Sequence, residues 1–226
     1  MKANSIFSLI ILASTITTTT PAHADTESKN LISNSSFSKS GISGDPLEWF
    51  RGGYGDNAHT HSFIPCSVIY TENDLDNTSD ESFFVFRPDC PPNTQYRLET
   101  TLNTNTYFNG DTKWYFRDIK INPEKEHKLS YYYQPYTYSA QAIIRYTLKN
   151  GNYKYVLIAD MPQLVIGGNG YVGWSKAYNS FVTPKNAKSL TVFFAITGNR
   201  TCNSSCVGPD RGILSIANVS LTKQQP

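Results

Sequence analysis

The sequence predicts an all-β fold, an antiparallel two-sheet β-sandwich. Three observations predict it. Apolar and polar residues alternate with a period of two in several segments, as they do when a strand buries one face. Helical periodicity is nearly absent. Gly, Asn, Asp and Pro punctuate the β-rich runs, where turns between short strands need them. The composition agrees: 15 Tyr and 12 Phe against 2 Met, with many Thr, Ser and Asn, suit strands and turns better than helices.

Taken in order, Asn30–Phe37 opens the domain, and Ser82–Arg87 and Tyr96–Leu102 follow as β-rich runs between turn residues. Lys113–Ile121 alternates, so Trp114 and Phe116 share one face while Lys113, Tyr115 and Arg117 take the other. In Leu129–Gln134, Leu129, Tyr131 and Tyr133 point inward, which leaves Tyr132 and Gln134 outward. Ala140–Leu148 places Ala142, Ile144, Tyr146 and Leu148 on one face and Gln141, Ile143, Arg145 and Thr147 on the other. Asn150-Gly151-Asn152 is a hairpin signal leading into Lys154–Ile158, because Asn and Gly tolerate positive φ. Ser180–Val182 comes next. Leu190–Thr197 sets Leu190, Val192, Phe194 and Ile196 against Thr191, Phe193, Ala195 and Thr197, and Gly212–Thr222 closes the chain. Trp49 and Trp174 each adjoin a turn and are expected to pack in the core or against loops.

The N-terminus reads as a signal peptide, residues 1–24. Lys2 supplies a positive start, Ile6–Ile16 is a short apolar stretch, and Ala22-His23-Ala24 gives the small-x-small pattern cleaved after Ala24. The apolar run falls short of the about 20 residues a membrane helix needs, and no membrane span is expected. Residues 25–226 are read as one domain, secreted or periplasmic. Chains of this length bury roughly 70% of their unfolded surface, so folding needs no metal. A formal charge of +2, without a Lys/Arg stripe, argues against nucleic acid as a partner.

Four cysteines follow the cleavage site: Cys66, Cys90, Cys202 and Cys206. An even count in an exported chain favours disulfides. Three pairings are open, and local closure, Cys66–Cys90 and Cys202–Cys206, is the expectation. The segment between Cys66 and Cys90 is read as an inserted, exposed loop tied at its base. Its acidic stretch, Thr71–Asp80, lacks the EF-hand pattern.

Chemistry-bearing motifs are sparse. HExxH, GxSxG and the P-loop are absent from the sequence. His59 and His61 share one face, with Asp56 near in sequence, but a third metal ligand is missing. Asp118, Asp160 and Asp210 are scattered rather than paired as glycoside cleavage requires. With the chain ending at Pro226, no catalytic domain is expected to follow. Neither enzyme activity, nor a metal, nor a cofactor is expected.

A set of motifs resembles the galactose-binding-like β-sandwich family, the carbohydrate-binding-module-like domains of secreted bacterial proteins. Asn30-Leu31-Ile32-Ser33-Asn34-Ser35-Ser36-Phe37 is similar to its first-strand motif, and Pro46-Leu47-Glu48-Trp49 to its Pro-x-x-Trp. Gly53-Tyr54-Gly55-Asp56-Asn57-Ala58 and Gly110-Asp111-Thr112-Lys113-Trp114-Tyr115-Phe116 resemble one branch. So do Leu129–Tyr133, Tyr146–Gly151, Trp174-Ser175-Lys176 and Val182–Val192. The resemblance implies a jelly-roll sandwich and a glycan or polysaccharide ligand. It also implies a structural calcium, held by an acidic residue after the first-strand Phe and an Asp in the last strand. Here those positions hold Ser38 and Ala217-Asn218, which puts that calcium in doubt.

Aromatic platforms and planar polar side chains suit a sugar's apolar faces and hydroxyls. Tyr115, Arg117, Tyr132, Gln134, Gln141 and Arg145 are therefore predicted to form one ligand-binding surface, provided their strands share a sheet. The expected function is non-catalytic carbohydrate binding. The alternative is a secreted structural or protein-interaction sandwich that binds a protein partner instead of sugar.

Overall fold

The computed structural model describes residues 29–55, 58–66, 90–103, 108–136, 140–162, 165–166, 171–200 and 211–224. Among them there is no α-helix. The strands are β1 (Trp49–Gly55), β2 (Ala58–Pro65), β3 (Tyr96–Asn103), β4 (Phe108–Lys120), β5 (Glu126–Tyr136) and β6 (Ala140–Leu148). They continue as β7 (Tyr153–Asp160), β8 (Val165–Ile166), β9 (Tyr171–Val172), β10 (Ser175–Val182), β11 (Ala187–Arg200) and β12 (Arg211–Lys223). The signal-peptide segment, the Ser82–Arg87 strand, the acidic stretch Thr71–Asp80, Asp56, Asp210 and the Cys202–Cys206 bridge lie outside the described residues.

Two five-stranded sheets form the sandwich predicted from the sequence. The first runs β1-β4-β11-β6-β7 and the second β10-β5-β12-β3-β2; β8 and β9 pair separately. All the pairings are antiparallel. Alternation places the core where the sequence put it. Leu190, Val192, Phe194 and Ile196 of β11 and Ala142, Ile144 and Tyr146 of β6 are buried against Leu129, Tyr131 and Tyr133 of β5. Trp49 also joins this core. It packs edge-on to Phe37 at 5.0 Å and to Phe116 at 5.5 Å, while its indole N–H donates to the Asn34 carbonyl at 3.0 Å.

Tight local chemistry closes the elements. Gly151, at φ 86°, turns β6 into β7, the Leu148 N–H donates to the Asn152 carbonyl at 2.8 Å, and the Asn150 side chain accepts from the Asn152 N–H at 3.1 Å. That is the Asn-Gly hairpin expected from the sequence. The Cys66–Cys90 bridge is also formed.

The opening segment departs from expectation. Asn30–Phe37 is not a strand: it makes a single bridge, Asn30 to Thr222, and then turns. The buried Asn34 is the cause. Its amide donates to the carbonyls of Lys39 and Leu47 at 2.8 and 3.1 Å and accepts from the Lys39 N–H at 3.1 Å. Side-chain bonds to the backbone compete with ladder formation. Phe37 then adopts φ 60° and is driven fully into the core.

The two sheets are also bonded through the core beside β4. The Trp114 indole of β4 donates to the Glu99 carbonyl of β3 at 2.8 Å, and the buried hydroxyls of Thr112 and Thr100 lie 2.6 Å apart. These bonds fix β4 from its inner side while its outer side faces away from the core.

Candidate functional site

The outer face of the first sheet carries the candidate site. On β4 the residues opposite the core are Asp111, Lys113, Tyr115 and Arg117. Cross-strand register then sets their neighbours. Phe50 and Gly52 of β1 lie opposite Tyr115 and Lys113, and Phe193 and Ala195 of β11 flank the same pair on the other side. Beyond β11, register brings Thr191 opposite Arg145 of β6, and Arg145 opposite Tyr155 of β7.

The aromatic rings form a row across the strands. Centroid separations are 5.5 Å from Phe50 to Tyr115, 5.5 Å from Tyr115 to Phe193 and 6.5 Å from Phe193 to Tyr155, at interplanar angles of 24°, 37° and 31°. Ring centroids at these separations lie in the range of favourable aromatic pairs. A groove of about 470 Å³ overlies the row, lined by Gly52, Gly53, Asp111, Lys113, Tyr115, Arg117, Ile143, Arg145, Tyr155, Phe193 and Ala195. Two glycines on its floor let the walls approach: a Cβ at Gly52 would meet Tyr115 Cε1 at 3.0 Å and Lys113 Cε at 3.2 Å.

Polar groups are interleaved with the rings. Lys113 Nζ binds both carboxylate oxygens of Asp111 at 2.6 Å and lies 5.7 Å from the centroids of Tyr54 and Phe193. The Arg117 guanidinium lies 4.1 Å from the Phe50 centroid, and Arg145 lies 4.6 Å from that of Tyr153 and 5.5 Å from that of Phe193. Such cation–π contacts hold the long side chains flat against the sheet. Gln141 donates to Asp160 at 2.9 Å and accepts from the Thr197 hydroxyl at 3.2 Å at the end of the same face.

Four of the six predicted ligand-binding residues therefore share this face: Tyr115, Arg117, Gln141 and Arg145. Tyr132 and Gln134 do not. Their strand, β5, belongs to the second sheet, between β10 and β12, so they cannot complete the surface. Tyr132 is half-buried beneath the Lys176 ammonium, 5.0 Å from its ring centroid. Gln134, expected outward and wet, is only 2% exposed. It lies opposite Ser215, which is itself opposite Glu99, in a shielded strip of the second sheet. Burial there pushes the Glu99 carboxyl up, against the pull of Arg97.

Phe193, Tyr155, Lys113 and the two glycines were not among the predicted site residues. The alternation of β11 already set Phe193 on the outer face, and an aromatic between Thr191 and Ala195 was the available signal.

His59 and His61 of β2 stack edge-on at 5.3 Å. His61 Nε2 donates to the Lys113 carbonyl at 3.0 Å, behind the groove, and burial lowers its pKa. No cluster of three or more His, Cys, Asp or Glu able to hold a metal occurs among the described residues. The positions that the resemblance links to calcium carry no carboxylate. Ala217 is fully buried, the Asn218 amide donates to the Thr94 hydroxyl at 2.6 Å, and the Ser38 hydroxyl pairs with that of Ser36 at 3.2 Å.

No protein-family model matches the chain, and no curated protein matches its sequence. Carbohydrate-binding modules are among its structural neighbours. The family 11 module of a cellulosomal cellulase of Clostridium thermocellum is 10% identical, with 79% of this chain covering 89% of that one at a TM-score of 0.41. A xylan-binding domain from Paenibacillus barcinonensis is also 10% identical, covering 84% of this chain and 92% of that one, with a TM-score of 0.45. The enzymatically active domain of tailspike protein 4 of bacteriophage CBA120 is 18% identical over 86% of this chain, with a TM-score of 0.49. The chain spans about a fifth of that tailspike domain, 21% of its length.

Proposed function

We propose that this protein is an exported, non-catalytic carbohydrate-binding protein that lays a polysaccharide across the outer face of its first sheet. The observation that carries the reading is the ring row, Phe50–Tyr115–Phe193–Tyr155, beneath an open groove with planar polar side chains along it. Ligand sites combine apolar and aromatic walls with a few placed polar groups. A sugar offers both complements: flat C–H faces for the rings and hydroxyls for Arg117, Gln141 and Arg145. Four strand intervals of about 4.8 Å make the sheet about 19 Å across, room for several sugar units.

Binding rather than hydrolysis is supported by the acids present. Among the described residues the one carboxylate in the groove lining, Asp111, is held by Lys113 on both oxygens, whereas glycosidases use two carboxyl groups flanking the scissile bond. The Cys66–Cys90 bridge supports export, since disulfides persist in oxidising compartments. No cofactor is part of the proposal.

The test is affinity electrophoresis of the mature protein through gels containing individual polysaccharides. Tyr115→Ala should abolish retardation, and Tyr132→Ala, on the other sheet, should leave it intact. Retardation insensitive to Tyr115→Ala, or no retardation by any polysaccharide, overturns the reading.

A further inference from the structure

The charges in the groove point to the class of polysaccharide. Of the four arginines whose side chains are described, three lie within 4 Å of a carboxylate, and so does Lys113 of the groove. Arg51 pairs with Asp45, Lys113 with Asp111 at 2.6 Å, and Arg97 lies 3.7 Å from Glu99. Arg117 lies 3.7 Å from Asp118 at the exposed end of β4. Arg145, in the middle of the ring row, has no carboxylate partner among the described residues. Its guanidinium is oriented by the ring faces of Tyr153 and Phe193 and by one bond, Nη2 to the Thr191 hydroxyl at 3.3 Å. Its Nε is buried and meets no acceptor.

A buried charged N–H without an acceptor is unfavourable, and no described residue relieves it. A bound acceptor would meet the rest of the guanidinium, which lines the groove. The guanidinium fork matches a carboxylate or sulfate with two parallel bonds, which a neutral hydroxyl cannot reproduce. The wider lining agrees: Lys113, Arg117 and Arg145 face one acid, Asp111. Among the described residues, Asp160 beside Gln141 and Asp118 beside Arg117 sit at the ends of this face. The centre is therefore cationic and its margins are compensated.

We infer that the ligand is an acidic polysaccharide, bearing carboxylate or sulfate groups, whose anionic group seats on Arg145 between the rings of Tyr155 and Tyr115. This rests on the carbohydrate-binding reading above and adds the charge of the ligand to it. Tyr153, which holds the guanidinium from the rim, is a positioning residue.

Calorimetric titration tests it, at roughly 0.15 M salt so that long-range attraction is screened beyond about 8 Å. The probes are polygalacturonate, a sulfated galactan and a neutral galactan. Acidic chains should bind the wild type more tightly than the neutral one, and comparison of the two acidic chains assigns the group as carboxylate or sulfate. Arg145→Gln should weaken acidic binding by roughly tenfold to a hundredfold, the value of a lost charge-assisted pair. Neutral binding should weaken far less, because there Arg145 loses only a hydroxyl contact. Arg145→Lys, which keeps the charge but loses the fork, should recover only part. The double variant Lys128→Gln/Lys176→Gln, on the second sheet, should change nothing. Equal binding of acidic and neutral chains, or an Arg145→Gln loss of the same size for both, overturns the acidic assignment and leaves carbohydrate binding standing. A loss in the Lys128/Lys176 variant matching that of Arg145→Gln also overturns it, by showing diffuse attraction. Absence of binding to all three chains, and to every other polysaccharide tried, removes both readings.

Discussion

Phe193 and Phe194 are adjacent in sequence and lie on opposite sides of one sheet, so replacing each by Leu separates the core from the proposed binding face. Phe194 is fully buried. Its ring meets Tyr131 edge-on at 4.8 Å and stacks on Trp49 at 6.4 Å. Each aromatic pair is worth about 0.5–1.5 kcal/mol beyond the area it buries, so losing two costs roughly 1–3 kcal/mol. At about 2–4 °C per kcal/mol for a chain of this size, the melting temperature should fall by roughly 2–12 °C. Affinity for polysaccharide should not change. Phe193 is 7% exposed and lies under the groove, holding Tyr115 on one side and Tyr155 on the other. Phe193→Leu keeps the apolar bulk but leaves both rings without a partner. Affinity should drop about fivefold or more, the equivalent of about 1 kcal/mol. The melting temperature should move less than in Phe194→Leu, because this face is open. Calorimetric melting and titration measure both quantities on the same samples. If Phe194→Leu weakens binding as much as Phe193→Leu does, or Phe193→Leu leaves affinity intact, the two-face argument fails.

Other expectations follow from the same geometry. Gly52→Ala should force Tyr115 and Lys113 outward, weakening binding severalfold while costing about 1 kcal/mol in denaturant stability; unchanged affinity would show that the ring position is immaterial. Burial lowers the pKa values of His61 and His127 in the folded state. Their neutral forms therefore contribute stability that is complete above the unfolded value of about 6.5 and is lost as pH falls through the lowered folded values. Glu99, raised by burial, has the opposite sign: its contribution is complete below the ordinary carboxylate value and is lost as pH rises through the raised one. The denaturation midpoint should thus decline below about pH 6.5, and His61→Gln should flatten that decline; a slope the same in the variant would exclude His61 as a contributor. Removing the Cys66–Cys90 bridge by double Ser substitution should cost about 3 kcal/mol in denaturant unfolding, the loop-closure value for a separation of 24 residues. An unchanged midpoint would mean that the segment is constrained by other means.

The sequence carried the sandwich because alternation is a local signal. The inward sets of β6 and β11 and the Asn-Gly hairpin can be read within about ten residues of themselves. It carried the opening segment poorly. Asn30–Phe37 has the apolar content of a strand, but one buried amide, Asn34, redirects the chain through bonds to Lys39 and Leu47. β1 was missed because its three glycines remove the alternation that would mark it. Sheet membership was not legible at all. Tyr132 and Arg145 each look outward in their own strands, yet β5 pairs with β10 and β12 while β6 pairs with β11 and β7. Two-residue periodicity says which way a side chain points, and says nothing about which sheet it points from. That choice is made by partners distant in sequence.

Every described residue lining the groove belongs to a strand, and the central ones stand on β4, which is bonded to β3 through Trp114 and Thr112. The proposed recognition surface is consequently a fixed grid, about 4.8 Å across the strands and about 7 Å along them. A polymer lying on such a grid is selected by commensurability: its repeat must bring rings and charges back into phase with successive strands. Changing one side chain re-labels a node without moving the others, so new ligand preferences are reachable by single substitutions on an unchanged frame.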